Sequence, residues 1–494
     1  MDKSTPVPDF IQQIYETFHN ASFKLYLIGG SLRDILLFKE AHDWDMTTDA
    51  TPKQMLALFP NAFYDNTFGT VGIPIKKDVI LGTQSEAWRT SGSNDSGQAR
   101  MTNYRIVIEI TTFRSESEYK DKRHPEKITW GKTIEEDLDR RDFTINAMAL
   151  SLEHTNGDNT LDVERIIDPH DGKKDLEEKI IKAVGNPNSR FKEDALRILR
   201  AIRFATQLGF TVEENTWRAI REDAALLPAI SAERIHDELL KILASDHPYE
   251  GIMMLKNAGL LEYILPELLE GIDVSQVRPG RHHTEDVFTH NLLSLKFCPS
   301  NDPIVRFATL LHDIGKPKVK GADEQGLVTF YNHEIVGAKM ARDIVERLKF
   351  SKKDKEKIVM LVRWHMFTVD EHTTDAAIRR FIRRVGVDNI RNMIDIRIAD
   401  RLGSGTTTAQ SWRLKLFQKR IEEQLAPAPF AITDLAVDGN DVMKELNIKP
   451  SKQVGEILQK LFEEVDEDLS LNTKEYLIKR THELAKENSM SSPI

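Results

Sequence analysis

Between residue 23 and about residue 152, short apolar runs alternate with stretches whose apolar residues recur every three or four positions. The runs at 23–28 (FKLYLI) and 104–113 (YRIVIEITTF) are rich in β-branched and aromatic residues and predict strands, with helices between them. This part of the chain therefore reads as α/β. From Lys173 onward nearly every segment carries helical spacing, as in Ala195, Ile198, Leu199, Ile202 and Ala205, so the remainder reads as all-α. Two stretches interrupt the pattern. Residues 82–103 are polar and turn-rich, which suggests a surface insertion between two strands, and 426–429, with its prolines, suggests a link to a charged helical tail. No internal repeat is visible.

A chain of 494 residues is too long for one core, and two to four domains are expected. No run approaches the roughly 18 consecutive apolar residues that a membrane helix needs. The first ten residues have neither the apolar stretch of a signal peptide nor the arginine-rich pattern of a transit peptide, so the cytoplasm is the expected location. The single cysteine, Cys298, excludes an internal disulfide and any multi-cysteine metal site. A formal charge of −10 argues on average against a nucleic-acid partner. Phosphate contacts need only local clusters, however, and residues 378–384 hold four arginines, with Arg391, Arg397 and Arg401 following. The plainer reading of that run is a solvated basic helix face.

Candidate chemistry begins at Ile28-Gly29-Gly30-Ser31, which follows an apolar run and precedes Leu32-Arg33-Asp34. Strand, glycine turn and helix start suit phosphates: glycines admit the triphosphate to the backbone N–H groups, the helix N-terminus adds positive charge, and Arg33 can pair with phosphate oxygens. Such turns are common, and the weight comes from Asp43-Trp44-Asp45 shortly after. On a strand, positions i and i+2 share a face, so Asp43 and Asp45 can offer two hard oxygen ligands to Mg²⁺ for a two-metal transfer. Glu109, an acid between apolar neighbours in the second predicted strand, is a candidate third carboxylate, with a solvent-facing position on a one-sided sheet as its alternative.

Taken together, LIGGSLRDILL and HDWDMTTDATP resemble the signature of class II CCA-adding tRNA nucleotidyltransferases and the related bacterial poly(A) polymerases. The likeness continues through 140–147 (RRDFTINA), similar to the family's ribose and triphosphate motif, and 193–197 (EDALR), similar to its base-recognition motif. It extends to 231–234 (SAER) and to LAVDGNDVM and NIKPSKQVGEIL near the C-terminus. An insertion at about 76–103 departs from it, and 113–125 corresponds to a flexible loop of the family. The resemblance implies a polymerase-beta-like head over 1–152, a neck for base recognition and RNA binding over 153–230, a helical body over 231–275, an HD-type metal-binding domain over 276–405, and a tRNA-binding tail over 406–494. It also implies template-independent addition of C, C and A to a tRNA 3′ end from CTP and ATP, with Mg²⁺ at the transfer site.

Within this framework Gly29, Gly30, Arg33, Arg141, Asp142, Asn146, Asp194, Arg197, Arg200 and Arg203 form the expected nucleotide-binding set. The family's aspartate at the position of Asp142 holds the ribose 2′-OH, and Asn146 stands one helical turn from it if a helix begins there. Asp194 and Arg197 are three residues apart and would share a helical face. An acid that accepts from an exocyclic amine, beside an arginine that donates to a ring nitrogen, matches cytosine and adenine and rejects uracil and guanine. The alternative for that pair is a surface i,i+3 salt bridge.

Seven of the 15 histidines fall between His282 and His372. His290, His312, Asp313, His333, His365 and Asp400 resemble, in order, the ligands of an HD-type phosphohydrolase, and imidazoles mixed with carboxylates suit a divalent transition metal better than Mg²⁺. Asn332 stands where the family more often has glycine. Other specificities remain open: a poly(A) polymerase, an enzyme adding only CC or only A, or a hydrolase or RNA-binding protein with an inactive head. Nothing in the sequence indicates the oligomeric state.

Overall fold

The computed structural model describes residues 7–39, 44–65, 70–77, 104–114, 130–153, 161–277, 285–367, 373–425 and 431–490. Asp43, the insertion at 82–103, most of the loop 113–125 and the link 426–429 lie outside these residues. The chain forms two compact units, Met1–Ile264 and Leu265–Ile494.

The first unit is built on six strands: β1 (Leu25–Ile28), β2 (Met46–Thr48), β3 (Phe63–Asp65), β4 (Thr70–Lys77), β5 (Tyr104–Thr112) and β6 (Ala149–Ser151). They lie in the order β3-β4-β5-β2-β1-β6, and only the β2–β5 pair is parallel. Both predicted strands are present. In β5 the alternation is visible side chain by side chain: Ile108 and Ile110 are buried, whereas Val107 and Glu109 face outward. β1 is buried throughout, as a central strand between β2 and β6 must be. Helices follow. The Leu196–Leu208 helix buries Ile198, Leu199, Ile202 and Ala205 on its apolar stripe, as the spacing predicts. Two short strands, Ile180–Ile181 and Thr211–Val212, form a parallel ribbon within this otherwise helical stretch. They are too short for a period-two signal to be read from sequence.

In the second unit, helices Val287–Lys296, Pro303–Leu311, His333–Arg347, Lys352–Trp364 and Ile390–Gly403 surround the histidine cluster. A two-residue hairpin, Gly321–Ala322 with Val328–Thr329, again departs from the all-α expectation. The basic run falls on the Asp375–Val385 helix. Arg379 and Arg383 reach Asp466 on the Lys452–Glu467 helix at 2.8 and 2.5 Å, and Arg380 meets Glu467. Asp466 is almost fully buried, and through it Arg379 and Arg383 tie two helices together. The tail encloses its own apolar cluster around Ile457, Leu461, Val465 and Leu477.

Candidate active sites

β1 delivers the chain to Gly29 at φ +65°, a left-handed conformation that favours glycine, and the Gly29–Leu36 helix starts there. A Cβ on Gly29 would stand 3.1 Å from Nη1 of Arg141 and 3.5 Å from Oδ2 of Asp45, and a Cβ on Gly30 would also stand 3.5 Å from Asp45 Oδ2. The two glycines thus keep open the space beside the Asp45 carboxylate. Asp45 itself precedes β2, with its backbone N–H donating to Ser31 Oγ at 2.6 Å and its carbonyl accepting from Ile28 N–H at 3.1 Å. In the parallel β2–β5 ladder Met46 pairs with Ile110, so one residue earlier Asp45 stands beside Glu109, whose side chain is exposed. Asp45 and Glu109 therefore share a sheet face, and hard oxygens around a space without side chains fit Mg²⁺.

From this edge a hydrogen-bonded chain runs to the Leu196–Leu208 helix. Arg33 pairs with Asp34 at 2.7 Å and donates to Asn146 Oδ1 at 2.8 Å; Asn146 donates to Asp142 Oδ1 at 3.5 Å; Arg200 donates to Asp142 Oδ2 at 2.6 Å. Asp142 and Asn146 meet through a short 3₁₀ turn, Thr144–Asn146, in place of an α-helix start. Burial opposes the charge on Asp142, but Arg200 and Arg197 outweigh it and hold its carboxyl down at about 2. Arg33, Arg200 and Arg203 all lie over the Phe204 ring, at 5.3, 5.3 and 4.0 Å. Arg203 also pairs with Glu238 at 2.7 Å, and its burial lowers its pKa to about 10.

Asp194 and Arg197 require a correction. They do not lie on one helical face, because Asp194 is extended (φ −143°, ψ 104°) at the end of the Pro187–Glu193 helix. There its carboxylate accepts the Leu196 N–H at 3.0 Å, where the next helix begins. Arg234, on the Ala232–Ala244 helix, grips both Asp194 oxygens at 3.2 and 2.7 Å. Arg197 instead donates to Glu193 at 2.6 Å and to the carbonyls of Arg190 and Arg140 at 3.2 and 3.0 Å. The i,i+3 salt bridge is absent as well.

The second cluster is organised around Asp313. Its Oδ2 lies 3.2 Å from His290 Nε2 and 3.3 Å from His312 Nε2, and its Oδ1 lies 3.2 Å from His333 Nε2 and 3.6 Å from His365 Nε2. Asp400 approaches the first pair, at 3.3 Å from His290 and 3.8 Å from His312. The six predicted residues thus fall into two triads that could each hold an ion, His290–His312–Asp400 and Asp313–His333–His365. Nδ1 of His312, His333 and His365 lies 2.7–2.8 Å from the carbonyls of Thr309, Phe330 and Val362. A carbonyl only accepts, so Nδ1 carries the proton and a neutral ring turns its Nε2 lone pair inward. Nε2 atoms then face each other at 3.1 Å (His290, His312) and 3.4 Å (His333, His365) beside a carboxylate, an arrangement that a cation relieves. The donor set fits a divalent transition metal.

The electrostatics show the demand for positive charge at this centre, which a proton on His312 meets when no cation does. Burial disfavours the charged imidazole, but Asp313 and Asp400 push His312 up to about 10; burial lowers His365. Both carboxyls are held well below the ordinary range against their burial, Asp313 chiefly by Lys316 and His312, Asp400 chiefly by His290 and His312. Lys316 reaches Asp313 Oδ2 at 2.5 Å. Gly315 packs so closely on the next segment that a Cβ would stand 2.2 Å from the His333 carbonyl oxygen. Asn332 has φ +60°, in the left-handed region that glycine and asparagine enter most readily.

Residues 25–182 match the poly A polymerase head domain, 209–271 a probable RNA and SrmB-binding site of polymerase A, and 282–404 the HD domain. Over 97% of its length the chain is 30% identical to a CCA-adding enzyme of Ligilactobacillus salivarius, 98% of which is covered. Over 67% of its length it is 36% identical to an A-adding tRNA nucleotidyltransferase of Deinococcus radiodurans, 75% of which is covered. The chain belongs to the tRNA nucleotidyltransferase family of CCA-adding enzymes. Its fold is that of the Bacillus stearothermophilus CCA-adding enzyme in complex with CTP, with a TM-score of 0.66 at 22% identity, covering 98% of this chain and 100% of that one.

Within this family of nucleotidyltransferases the structure adds residues that sequence reasoning left without a role. Arg234 and Glu238, one turn apart on a single helix, hold Asp194 and Arg203; Glu193 holds Arg197. The signal was available in part, since 231–234 stood out as a motif, but its partner is 40 residues away in sequence. Among the described residues no helix is long and apolar enough to cross a membrane.

Proposed function

We propose that this nucleotidyltransferase adds C, C and A to the 3′ end of tRNA, taking CTP and ATP, in the cytoplasm. The observation that carries the reading is the constellation of Gly29, Gly30, Asp45, Arg33, Asn146, Asp142 and Arg200, beside Asp194 and Arg197, each held by its own partner. The five-part division into head, neck, body, HD domain and tail belongs to the same proposal.

The glycines let the triphosphate reach the backbone N–H groups at the helix start, where Arg33 and Arg141 bring positive charge. Asp142 accepts the ribose hydroxyl while Arg200 fixes its carboxylate. Mg²⁺ held by Asp43, Asp45 and Glu109 would supply activation of the RNA 3′-hydroxyl and neutralise the phosphates. Arg234 orients Asp194 and Glu193 orients Arg197, and each keeps capacity for a base. A carboxylate has about four lone-pair sites, and Arg197 retains its Nε–H and one Nη2–H. Cytosine and adenine meet an acceptor and a donor in the right order, whereas uracil and guanine leave two acceptors facing each other, at a cost of about 1–3 kcal/mol.

The test is incubation of the protein with tRNA lacking its terminal CCA and each nucleotide separately, followed by sequencing of the ends. Failure to add C to such a tRNA overturns the reading. Addition of A alone would favour the second reading, which the 36% identity to an A-adding relative supports. A poly(A) product is the remaining alternative.

The HD-type centre is a second activity in this proposal. His290, His312, Asp313, His333, His365 and Asp400 would hold one or two divalent metal ions, which supply a low-pKa water for phosphoester hydrolysis. A 2′,3′-cyclic or terminal phosphate on a damaged RNA end is the proposed substrate class, because transfer needs a free 3′-hydroxyl. Asp313→Ala should remove hydrolysis and spare addition to intact tRNA, and Asp45→Ala should do the reverse.

A further inference from the structure

Asp137, on the Ile134–Asp139 helix, is fully buried and belongs to neither site above. Its Oδ1 accepts the Arg114 backbone N–H at 3.1 Å, just past the end of β5, and Arg140 Nε and Nη2 at 3.0 and 2.6 Å. Its Oδ2 accepts Arg141 Nη2 at 3.1 Å. Burial opposes the charge, but Arg140 and Arg141 outweigh it and hold the carboxyl below the ordinary range. Arg140 is thus spent on one oxygen, whereas Arg141 is held to the other through one of its three nitrogens.

The remaining nitrogens of Arg141 lie toward the glycine turn. Its Nη1 stands 3.1 Å from where a Cβ on Gly29 would lie, and it donates at 3.4 Å, a long hydrogen bond, to the Asn146 carbonyl. Its Nε is buried and has no hydrogen-bond partner among the described residues. Two guanidinium charges meet one carboxylate here, so net positive charge is left beside the turn. A guanidinium is a rigid planar fork, and fixing one nitrogen fixes where the others point. Among the described residues no acid other than Asp137 pairs with Arg141.

We propose that Asp137 is a positioning residue for nucleotide binding, which aims the Arg141 guanidinium at the triphosphate beside the Gly29 turn. The proposal rests on the assignment of Arg141 to the phosphates above. Asp137 acts only through Arg141 and touches no nucleotide itself: it keeps Nη2, while phosphate oxygens take hydrogen bonds from Nε and Nη1.

The experiment is equilibrium dialysis of CTP and of CMP against the full chain with Mg²⁺, for wild type, Asp137→Asn, Arg141→Ala and the double variant. The readout is the ratio of the two affinities, which a general loss of structure would not move selectively. Losing a hydrogen bond to a charged group costs about 10-fold or more, so the preference for CTP over CMP should fall about 10-fold in D137N. It should fall at least as far in R141A, and adding D137N to R141A should lower it no further, because Asp137 acts through that arginine. Arg141→Lys is the second variant, for the case that the buried D137N does not fold. It keeps the charge at a partly exposed side chain but not the fixed fork, and its preference should fall several-fold. An unchanged ratio in R141A overturns the assignment of Arg141 to the phosphates, and the proposal with it. A ratio that falls in R141A yet is unchanged in D137N, or in R141K where D137N does not fold, overturns the positioning role alone. A further fall in the double variant also overturns it, since Asp137 would then act by another route.

Discussion

Asp142→Asn removes the charge that holds Arg200 in the proposed nucleotide site while keeping the shape of the side chain. The Asp142 side chain is 8% exposed and its carboxyl is held at about 2, against an ordinary value of 3.8. A shift of roughly two pKa units corresponds to about 2 kcal/mol of folding free energy. The sign follows from the direction. A carboxyl depressed in the folded state stabilises fully above its unfolded value near 3.8, and the contribution is lost as pH falls through about 2. At neutral pH D142N therefore loses about 2 kcal/mol, and the stranded Arg200, whose side chain is 33% exposed, is partly screened by water and adds little. A double-mutant cycle of D142N, R200Q and the pair, read by native-state amide exchange across Leu196–Leu208, should give a coupling of about 1–2 kcal/mol at pH 7, because Arg197 and the Phe143 N–H share in holding the carboxylate. The coupling should shrink when the cycle is repeated at pH 3. A coupling below about 0.5 kcal/mol at neutral pH would refute the argument that this ion pair holds the Leu196–Leu208 helix to Asp142.

Asp45→Ala and Glu109→Gln should each lower nucleotide transfer at least about 100-fold with folding unchanged, as loss of an oxygen ligand predicts; single-turnover assays within tenfold of wild type would remove either residue from the site. Arg234→Ala should cut the preference for CTP over UTP more than it cuts kcat for CTP, because it frees the Asp194 carboxylate; an intact preference would place base selection elsewhere. Asp466→Ala leaves Arg379 and Arg383 without their buried partner and should destabilise the second unit by about 3 kcal/mol, measured by urea unfolding; an unchanged midpoint would contradict the tie between the two helices. Asp313→Ala should abolish tight binding of Mn²⁺ or Ni²⁺ in equilibrium dialysis, since its two oxygens face all four histidines; undiminished metal content would count against the centre.

The sequence by itself determined whatever depends on neighbours within a turn or a strand. The 23–28 and 104–113 runs became strands, the Ala195–Ala205 spacing became a buried helix face, and Gly29 marked a left-handed turn, because backbone sterics and apolar periodicity act locally. The six residues of the histidine cluster and the residues Arg33, Asp142, Asn146 and Arg200 were also singled out in the sequence, and the fold brings each set together. What only the tertiary structure decided is which charge meets which. Asp194 and Arg197 looked like partners at three residues, yet the first is held by Arg234, 40 residues on, and the second by Glu193. The basic run looked exposed until the Lys452–Glu467 helix brought Asp466 to it from more than 80 residues away. Four histidines, on separate helices or at their ends, present their Nε2 atoms to the two oxygens of one carboxylate. A buried charge must be paired, but a chain can satisfy that demand from any segment that packing brings near. The partner is therefore set by how helices dock, and nothing in the local spacing records it.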